Sequence, residues 1–202
     1  MIAIVDYGVG NLFSLKSSLK MIGSDAVVTG DKVEIACADK IILPGVGAFG
    51  DAILKLQNTG LDSVVKEQAQ AGKRVLGICL GMQLLFNKSY EYGEHKGLGL
   101  LSGEIVAMSG RLPDGLKIPH IGWNALHFKK NSYLLKYINE NDCVYFVHSF
   151  YAENCDDSLV ATAEYGKEIT AIVQKNNISG CQFHPEKSGK VGLSILKAFC
   201  ED

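Results

Sequence analysis

The stretch Arg74-Val75-Leu76-Gly77-Ile78-Cys79-Leu80-Gly81-Met82-Gln83 decides the fold. Arg74–Ile78 is a short apolar run of strand type. It passes through Gly-x-Cys-x-Gly into a helical pattern over Gly81–Phe86. A strand that turns this tightly into a helix needs small residues on both sides of the turn, and Gly77 and Gly81 supply them. The same alternation recurs outward. Upstream, Ile2–Asp6 reads as a buried strand, and Leu12, Leu15, Leu19 and Ile22 follow at helical spacing. Lys40–Leu43 is a second strand, stopped by Pro44 and Gly45, and a helix covers about Gly60–Ala71. A βαβα order of this kind implies a mostly parallel sheet with helices on both faces.

Downstream the character changes. Gly93–Gly103 contains four glycines and reads as a loop. Short strands then dominate: Glu104–Met108, Ala125–Phe128, Cys143–Tyr151, Leu159–Glu164 and Ile169–Gln174. Asn176-Asn177 forms a turn into Ile178–Phe183, and the final helix is Val191–Cys200. No repeat, low-complexity tract or linker interrupts the chain. Residues 1–202 therefore read as one α/β domain, with additional antiparallel strands in the C-terminal half.

Composition narrows the function classes. The 202 residues are 47% hydrophobic and 21% charged, with a net charge of -2, a soluble globular profile. That balance gives no electrostatic reason for nucleic acid or an anionic membrane as partner. No apolar run approaches the roughly 20 residues that span a bilayer, and the first residues lack signal-peptide character. Six cysteines occur without a C-x-x-C pair. They read as reduced thiols of a cytoplasmic protein, most of them small buried apolar residues. No H-E-x-x-H motif is present, so neither a metal nor another cofactor is expected.

Cys79 is the thiol set apart. The elbow lifts its side chain above the sheet edge and places it at a helix start, where free N–H groups favour a thiolate. The alternative is a glycine-bounded turn around a buried thiol. A thiolate needs a base, and Gln182-Phe183-His184-Pro185-Glu186 supplies one directly after an apolar strand. Glu186 stands two residues on, across a proline that fixes the backbone, and can hold the imidazole in a third-group role. Leu43-Pro44-Gly45-Val46-Gly47-Ala48-Phe49-Gly50 also follows a strand. Its Val46 and Gly47 N–H groups, with that of Leu80, form a candidate oxyanion site; a structural or phosphate-cradling turn is the alternative. His148, mid-strand, is read as a hydrogen-bonded structural histidine slightly ahead of a catalytic one. His120 precedes the sole tryptophan in a segment suited to core packing or a partner surface, and His95 and His127 read as solvent-facing.

Gly77-Ile78-Cys79-Leu80-Gly81-Met82-Gln83 and His184-Pro185-Glu186 resemble the nucleophile and His/Glu motifs of the class I (triad) glutamine amidotransferases. Within that class the chain resembles the glutaminase subunits of imidazole glycerol phosphate synthase, in histidine biosynthesis. The distinguishing stretches are Asp6–Asn11, Pro44–Phe49, Pro119–Asn124, Tyr145–Ser149 and Gln182–Ser188, so the likeness runs end to end. The resemblance implies a flavodoxin-like three-layer α/β sandwich and hydrolysis of L-glutamine through Cys79, His184 and Glu186. It further implies that Gly47, Gln83 and the backbone of His148, Ser149 and Phe150 hold glutamine. Asn11, Trp123, Asn124 and Lys187 would face a (β/α)8-barrel cyclase in a heterodimer. The machinery spans about residues 43–186, which leaves no domain to accept ammonia and calls for a separate synthase. That synthase would make imidazole glycerol phosphate and aminoimidazole carboxamide ribonucleotide. A paralogue serving surface-sugar biosynthesis is the rival within the class. A cysteine peptidase or γ-glutamyl hydrolase, and a non-catalytic nucleotide-binding module, are the rivals outside it.

Overall fold

Cys79 directly follows a strand flanked on both sides by parallel neighbours, and the rest of the architecture is arranged around it. The computed structural model describes residues 1–201. In chain order the first elements are β1 (Ile2–Val5), α1 (Leu12–Met21), β2 (Ala26–Thr29), α2 (Lys32–Cys37), β3 (Lys40–Leu43), α3 (Phe49–Asn58), α4 (Leu61–Gln70), β4 (Arg74–Ile78) and α5 (Leu80–Leu84). They are followed by β5 (Phe86–Ser89), β6 (His95–Lys96), β7 (Leu101–Ala107), β8 (His120–Phe128), β9 (Cys143–His148), β10 (Phe150–Glu153), β11 (Leu159–Glu164), β12 (Glu168–Lys175), β13 (Ile178–Cys181) and α6 (Gly189–Glu201).

Nine strands form the main sheet in the order β2-β1-β3-β4-β13-β12-β11-β8-β9. The half from β2 to β13 is parallel; from β13 onward every pairing is antiparallel. A second sheet has the order β10-β7-β5-β6.

Period-2 alternation divides the parallel strands between two cores. Ala3, Val5, Ile41, Leu43 and Val75 point to one face, where α2, α3, α4 and α5 pack. Ile2, Ile4, Ile42, Leu76 and Ile78 point to the other, against α1 and α6. Both faces are apolar because both are covered. In α3 the buried residues Phe49, Ala52, Ile53 and Leu56 recur at three- and four-residue spacing, the stripe a core-facing helix requires.

The sequence reading differs from the fold in several places. The run Cys143–Tyr151 is two strands: it breaks at Ser149, and its halves join different sheets. The helices α2 and α3 and the strands β2 and β5 were not anticipated. Nor was β6, which with the start of β7 lies in the glycine-rich stretch read as a loop.

Glycines set the closest approaches at the elbow. A Cβ on Gly81 would sit 1.8 Å from the Leu43 carbonyl oxygen, and one on Gly77 2.6 Å from Met82 Cα. Both obstacles are backbone and cannot swing aside. Overpacking of a rigid site costs about 1–3 kcal/mol or more. Gly81→Ala is therefore expected to lower the thermal midpoint by roughly 2–4 °C for each kcal/mol lost. A melting curve matching that of the unaltered chain would contradict this contact.

Candidate active site

Three neighbouring strands deliver the three segments singled out in the sequence. β4 lies between β3 and β13, all parallel, with Gly77 opposite both Leu43 and Gly180. Their carboxyl ends therefore open onto one edge, the usual location of sites in such sheets. The Pro44–Gly47 turn follows β3, the elbow follows β4, and Gln182–Lys187 follows β13.

Cys79 adopts φ 53° and ψ -112°, a backbone conformation that costs an L-residue about 1–3 kcal/mol. It is held there because its N–H donates to the Cys181 carbonyl at 2.8 Å and because α5 starts at the next residue. That helix has only five residues. The elbow thus offers the sulfur free peptide N–H groups rather than a long helix dipole. Gly45 presses on the elbow from the β3 side: a Cβ there would lie 2.8 Å from Gly81 N. The Tyr7 hydroxyl donates to the Pro44 carbonyl at 2.7 Å, tying the turn to the end of β1. Burial, and then the neighbouring Cys79, push the Tyr7 phenol well above its ordinary value, so it stays a donor.

His184 is 3% exposed. Its Nδ1 lies 2.9 Å from Glu186 Oε1, and it lines the same cavity as Cys79. Burial pulls the imidazole down, but the hydrogen bonds to Cys79 and Glu186 and their charges outweigh it and raise it to about 9. The turn is fixed from behind. Ser188 Oγ donates to the His184 carbonyl at 2.7 Å and accepts from Tyr145 N–H at 3.0 Å. The Pro185 carbonyl fits against Gly192 of α6, where a Cβ would approach to 1.9 Å.

A cavity of about 370 Å³ opens over Cys79 and His184, within the range that small molecules occupy. Its walls include Val46, Gly47, Leu80 and Gln83, and across from the elbow the His148–Phe150 segment. Gln83 Nε2 donates to the Phe150 carbonyl and to Gln182 Oε1, each at 3.0 Å. His148 Nδ1 meets the same carbonyl at 2.8 Å, and its Nε2 lies 3.0 Å from His120 Nδ1. His120 stacks on Tyr165 at 4.0 Å between ring centres, and its Nε2 lies 2.8 Å from Asn124 Oδ1. Burial holds His148 down to about 3 and also lowers His120. His148 is thus a neutral, hydrogen-bonded ring whose segment lines the cavity.

Glu91 escaped the sequence reading. It is the one carboxylate lining the cavity among the described residues. Its Oε2 accepts the N–H of Phe49 at 2.7 Å, and the loop carrying it is pinned by Tyr90 N–H donating to the Ile105 carbonyl. Burial raises it above the ordinary carboxylate value, against the hydrogen bond from Phe49. No spacing in Ser89-Tyr90-Glu91-Tyr92 announced it. His95 is half-buried rather than solvent-facing, its ring centre 6.3 Å from that of Phe49.

Of the four residues expected to face a partner, Lys187 lines the cavity and Asn11 a small crevice beside Glu186. Trp123 is 56% exposed beside Ile121 at 57%, while His120 on the same strand is buried. The Pro119–Asn124 segment is therefore core on one side and surface on the other. Asn124 is engaged within the chain, its Nδ2 donating to the Glu164 carbonyl at 2.8 Å. Among the described residues no cluster is placed to hold a metal ion, and no helix is long and apolar enough to cross a membrane.

Residues 3–202 match the model of the family described as "Glutamine amidotransferase class-I". The chain belongs to the class-I glutamine amidotransferases. An imidazole glycerol phosphate synthase subunit HisH of Caldanaerobacter subterraneus subsp. tengcongensis is 52% identical, over 100% of this chain and 98% of its own length. The protein of the same designation from Lactococcus lactis subsp. lactis is 50% identical, over 100% of this chain and 98% of its own. Among solved structures, PurLQS from Thermotoga maritima superposes with a TM-score of 0.75 at 22% identity, covering 99% of this chain and 97% of that one. That likeness is one of fold, and it agrees with the layered sandwich expected of this amidotransferase class.

Raised His184 on one side, and lowered His148 and His120 on the other, give stability a pH optimum. His184 is raised from 6.5 to about 9, so between those values the folded chain binds more protons than the unfolded one. Its contribution is complete below the unfolded value and is lost as pH climbs toward 9. His148 is lowered from 6.5 to about 3, so stability also falls as pH drops through that window. Urea unfolding is expected to be hardest near pH 6.5, and His184→Gln to flatten only the alkaline limb. An alkaline limb unchanged in that variant would contradict the assignment.

Proposed function

We propose that residues 1–202 act as one glutaminase domain that hydrolyses L-glutamine to glutamate and ammonia and delivers the ammonia to a synthase subunit. The reading rests on one observation above all: a buried imidazole held by Glu186 at 2.9 Å that shares with Cys79 the wall of a cavity sized for an amino acid. Family membership supplies the substrate class.

In this mechanism the Cys79 thiolate attacks the side-chain amide carbon of glutamine. The oxyanion forms against the N–H groups of Leu80 and of Val46 and Gly47. His184, held by Glu186, gives its proton to the departing ammonia, which leaves a γ-glutamyl thioester. Water enters, His184 takes its proton, and the C–S bond breaks to release glutamate and restore the thiolate. Glu91 accepts the substrate ammonium, and Gln83 with the backbone of His148, Ser149 and Phe150 orients the rest. Glu91→Gln is expected to raise KM about tenfold with a smaller effect on kcat, because it removes uniform binding rather than transition-state binding. Steady-state kinetics checks this; an unchanged KM would take Glu91 out of the site.

The partner follows from the relatives' shared designation as subunits of imidazole glycerol phosphate synthase, which favours that synthase over the surface-sugar paralogue. The partner is a (β/α)8-barrel cyclase in a heterodimer. It docks over Asn11, Trp123, Asn124 and Lys187, and the reaction runs in the cytoplasm. The glycine turn is the switch. Gly47 sits at φ +95° with nothing within 4 Å of a Cβ position, so the Val46–Gly47 peptide has room to rotate, while Tyr7 anchors Pro44 behind it.

Co-purification with the cyclase, then glutamine hydrolysis with and without the cyclase ligand, tests the whole reading. The isolated chain is expected to turn over slowly and to be stimulated at least about tenfold in the complex. Cys79→Ala is expected to abolish turnover. Full activity of the isolated chain would overturn the switch, and substantial activity of Cys79→Ala would overturn the nucleophile.

A further inference from the structure

We propose that Gln182 is a nucleophile-positioning residue: its side-chain amide donates an N–H to the Cys79 sulfur and stabilises the thiolate that attacks glutamine. This rests on the reading of Cys79 as the nucleophile.

Gln182 immediately follows β13 and is fully buried. Its Nε2 lies 3.8 Å from Cys79 Sγ, and its Oε1 lies 3.0 Å from Gln83 Nε2. An amide can be turned end for end, so its orientation has to be argued. Here it is fixed from a distance. The Phe150 carbonyl can only accept, and it lies 3.0 Å from the same Gln83 nitrogen. That end of Gln83 must therefore be its NH2 group. One of its two protons goes to Phe150 and the other to Gln182. Gln182 must then present its oxygen to Gln83 and its own NH2 to the sulfur. The reverse orientation would set NH2 against NH2 at one end and an amide oxygen against a developing thiolate at the other.

The backbone is fixed as well. Gln182 N–H donates to the Ala171 carbonyl at 2.9 Å, and the preceding Cys181 carbonyl accepts from Cys79 N–H at 2.8 Å. Nucleophile and amide are thus carried by adjacent parallel strands. With no solvent at the amide, its dipole is not spent on water, and a hydrogen bond to an ionised partner is stronger than one to a neutral partner. A contact that is long to the thiol tightens as charge develops on sulfur. His184 supplies the sulfur's charged partner; Gln182 supplies a neutral one that needs no proton transfer. The bond also links substrate contact to nucleophile, because Gln83 touches both the cavity and Gln182.

The test is the pH profile of Cys79 alkylation by iodoacetamide, read by mass spectrometry of the peptide carrying it, in the full chain and in Gln182→Met. Methionine fills similar space without a donor. The midpoint is expected to rise by about one pH unit, a tenfold loss of reactive thiolate below it. The acid limb of kcat/KM for glutamine should move with it. A mere loss of stability would lower the plateau and leave both midpoints in place. Superimposable midpoints overturn the proposal. Should the variant not fold, the unaltered chain decides: the side-chain amide protons of Gln182, followed by NMR, are expected to shift downfield with the Cys79 alkylation midpoint, and resonances that stay fixed through it overturn the proposal. An inactive Cys79→Ala alongside an unmoved Gln182→Met midpoint sinks this inference alone. An active Cys79→Ala sinks the nucleophile reading beneath it.

Discussion

Parallel pairing of β4 between β3 and β13 is the constraint from which the site follows. It brings the ends of β3 and β13 each within one strand spacing of the end of β4, although their residues lie far apart in sequence. The Pro44–Gly47 turn, the elbow and the His184 turn are then neighbours by construction. The contacts at this junction are backbone to backbone. Gly81 meets the Leu43 carbonyl and Gly45 meets Gly81 N. Positions are therefore set by main-chain packing rather than by adjustable side chains, which gives the precision an acyl-transfer site needs.

The electrostatics are layered on that frame. His184 is raised by its two partners in spite of burial, while His148, within the same wall, is lowered by burial with no carboxylate to offset it. The two imidazoles thus carry opposite tasks. In the proposed mechanism one stays charged beside the sulfur and handles protons; the other stays neutral and holds a backbone segment against the cavity. The strained φ of Cys79 belongs to the same logic: strain is kept where three strand ends over-determine the backbone.

Much of this was legible in the sequence, and the reasons differ by element. Lys40–Leu43, Arg74–Ile78 and Leu159–Glu164 coincide with their sequence-based bounds because short, mainly apolar segments between breakers leave little room for error. The helix α2 was missed although Asp31 caps it, accepting from Val33 and Glu34 N–H; six residues are too few for periodicity to register. The stripe of α3 was hidden by glycines at 45, 47 and 50 that read as a turn. The break at Ser149 was invisible because apolar residues run straight through it. There the chain leaves one sheet for another as the His148 ring reaches the Phe150 carbonyl two residues on. At the site, the residues proposed to perform covalent chemistry stand out, because an elbow and a His-Pro-Glu turn have local signatures. Glu91 does not, since a single carboxylate on a cavity wall has no local signature, and its place is made by tertiary structure.

The most direct test of the central claim is to trap the acyl-enzyme. Full chain in complex with the proposed cyclase partner is mixed with glutamine, quenched in acid within a single turnover, digested, and examined by mass spectrometry. A γ-glutamyl group on the peptide carrying Cys79, labile to hydroxylamine, is the predicted result. Glutamate release with no adduct on Cys79, or an adduct on a different residue, would contradict the account.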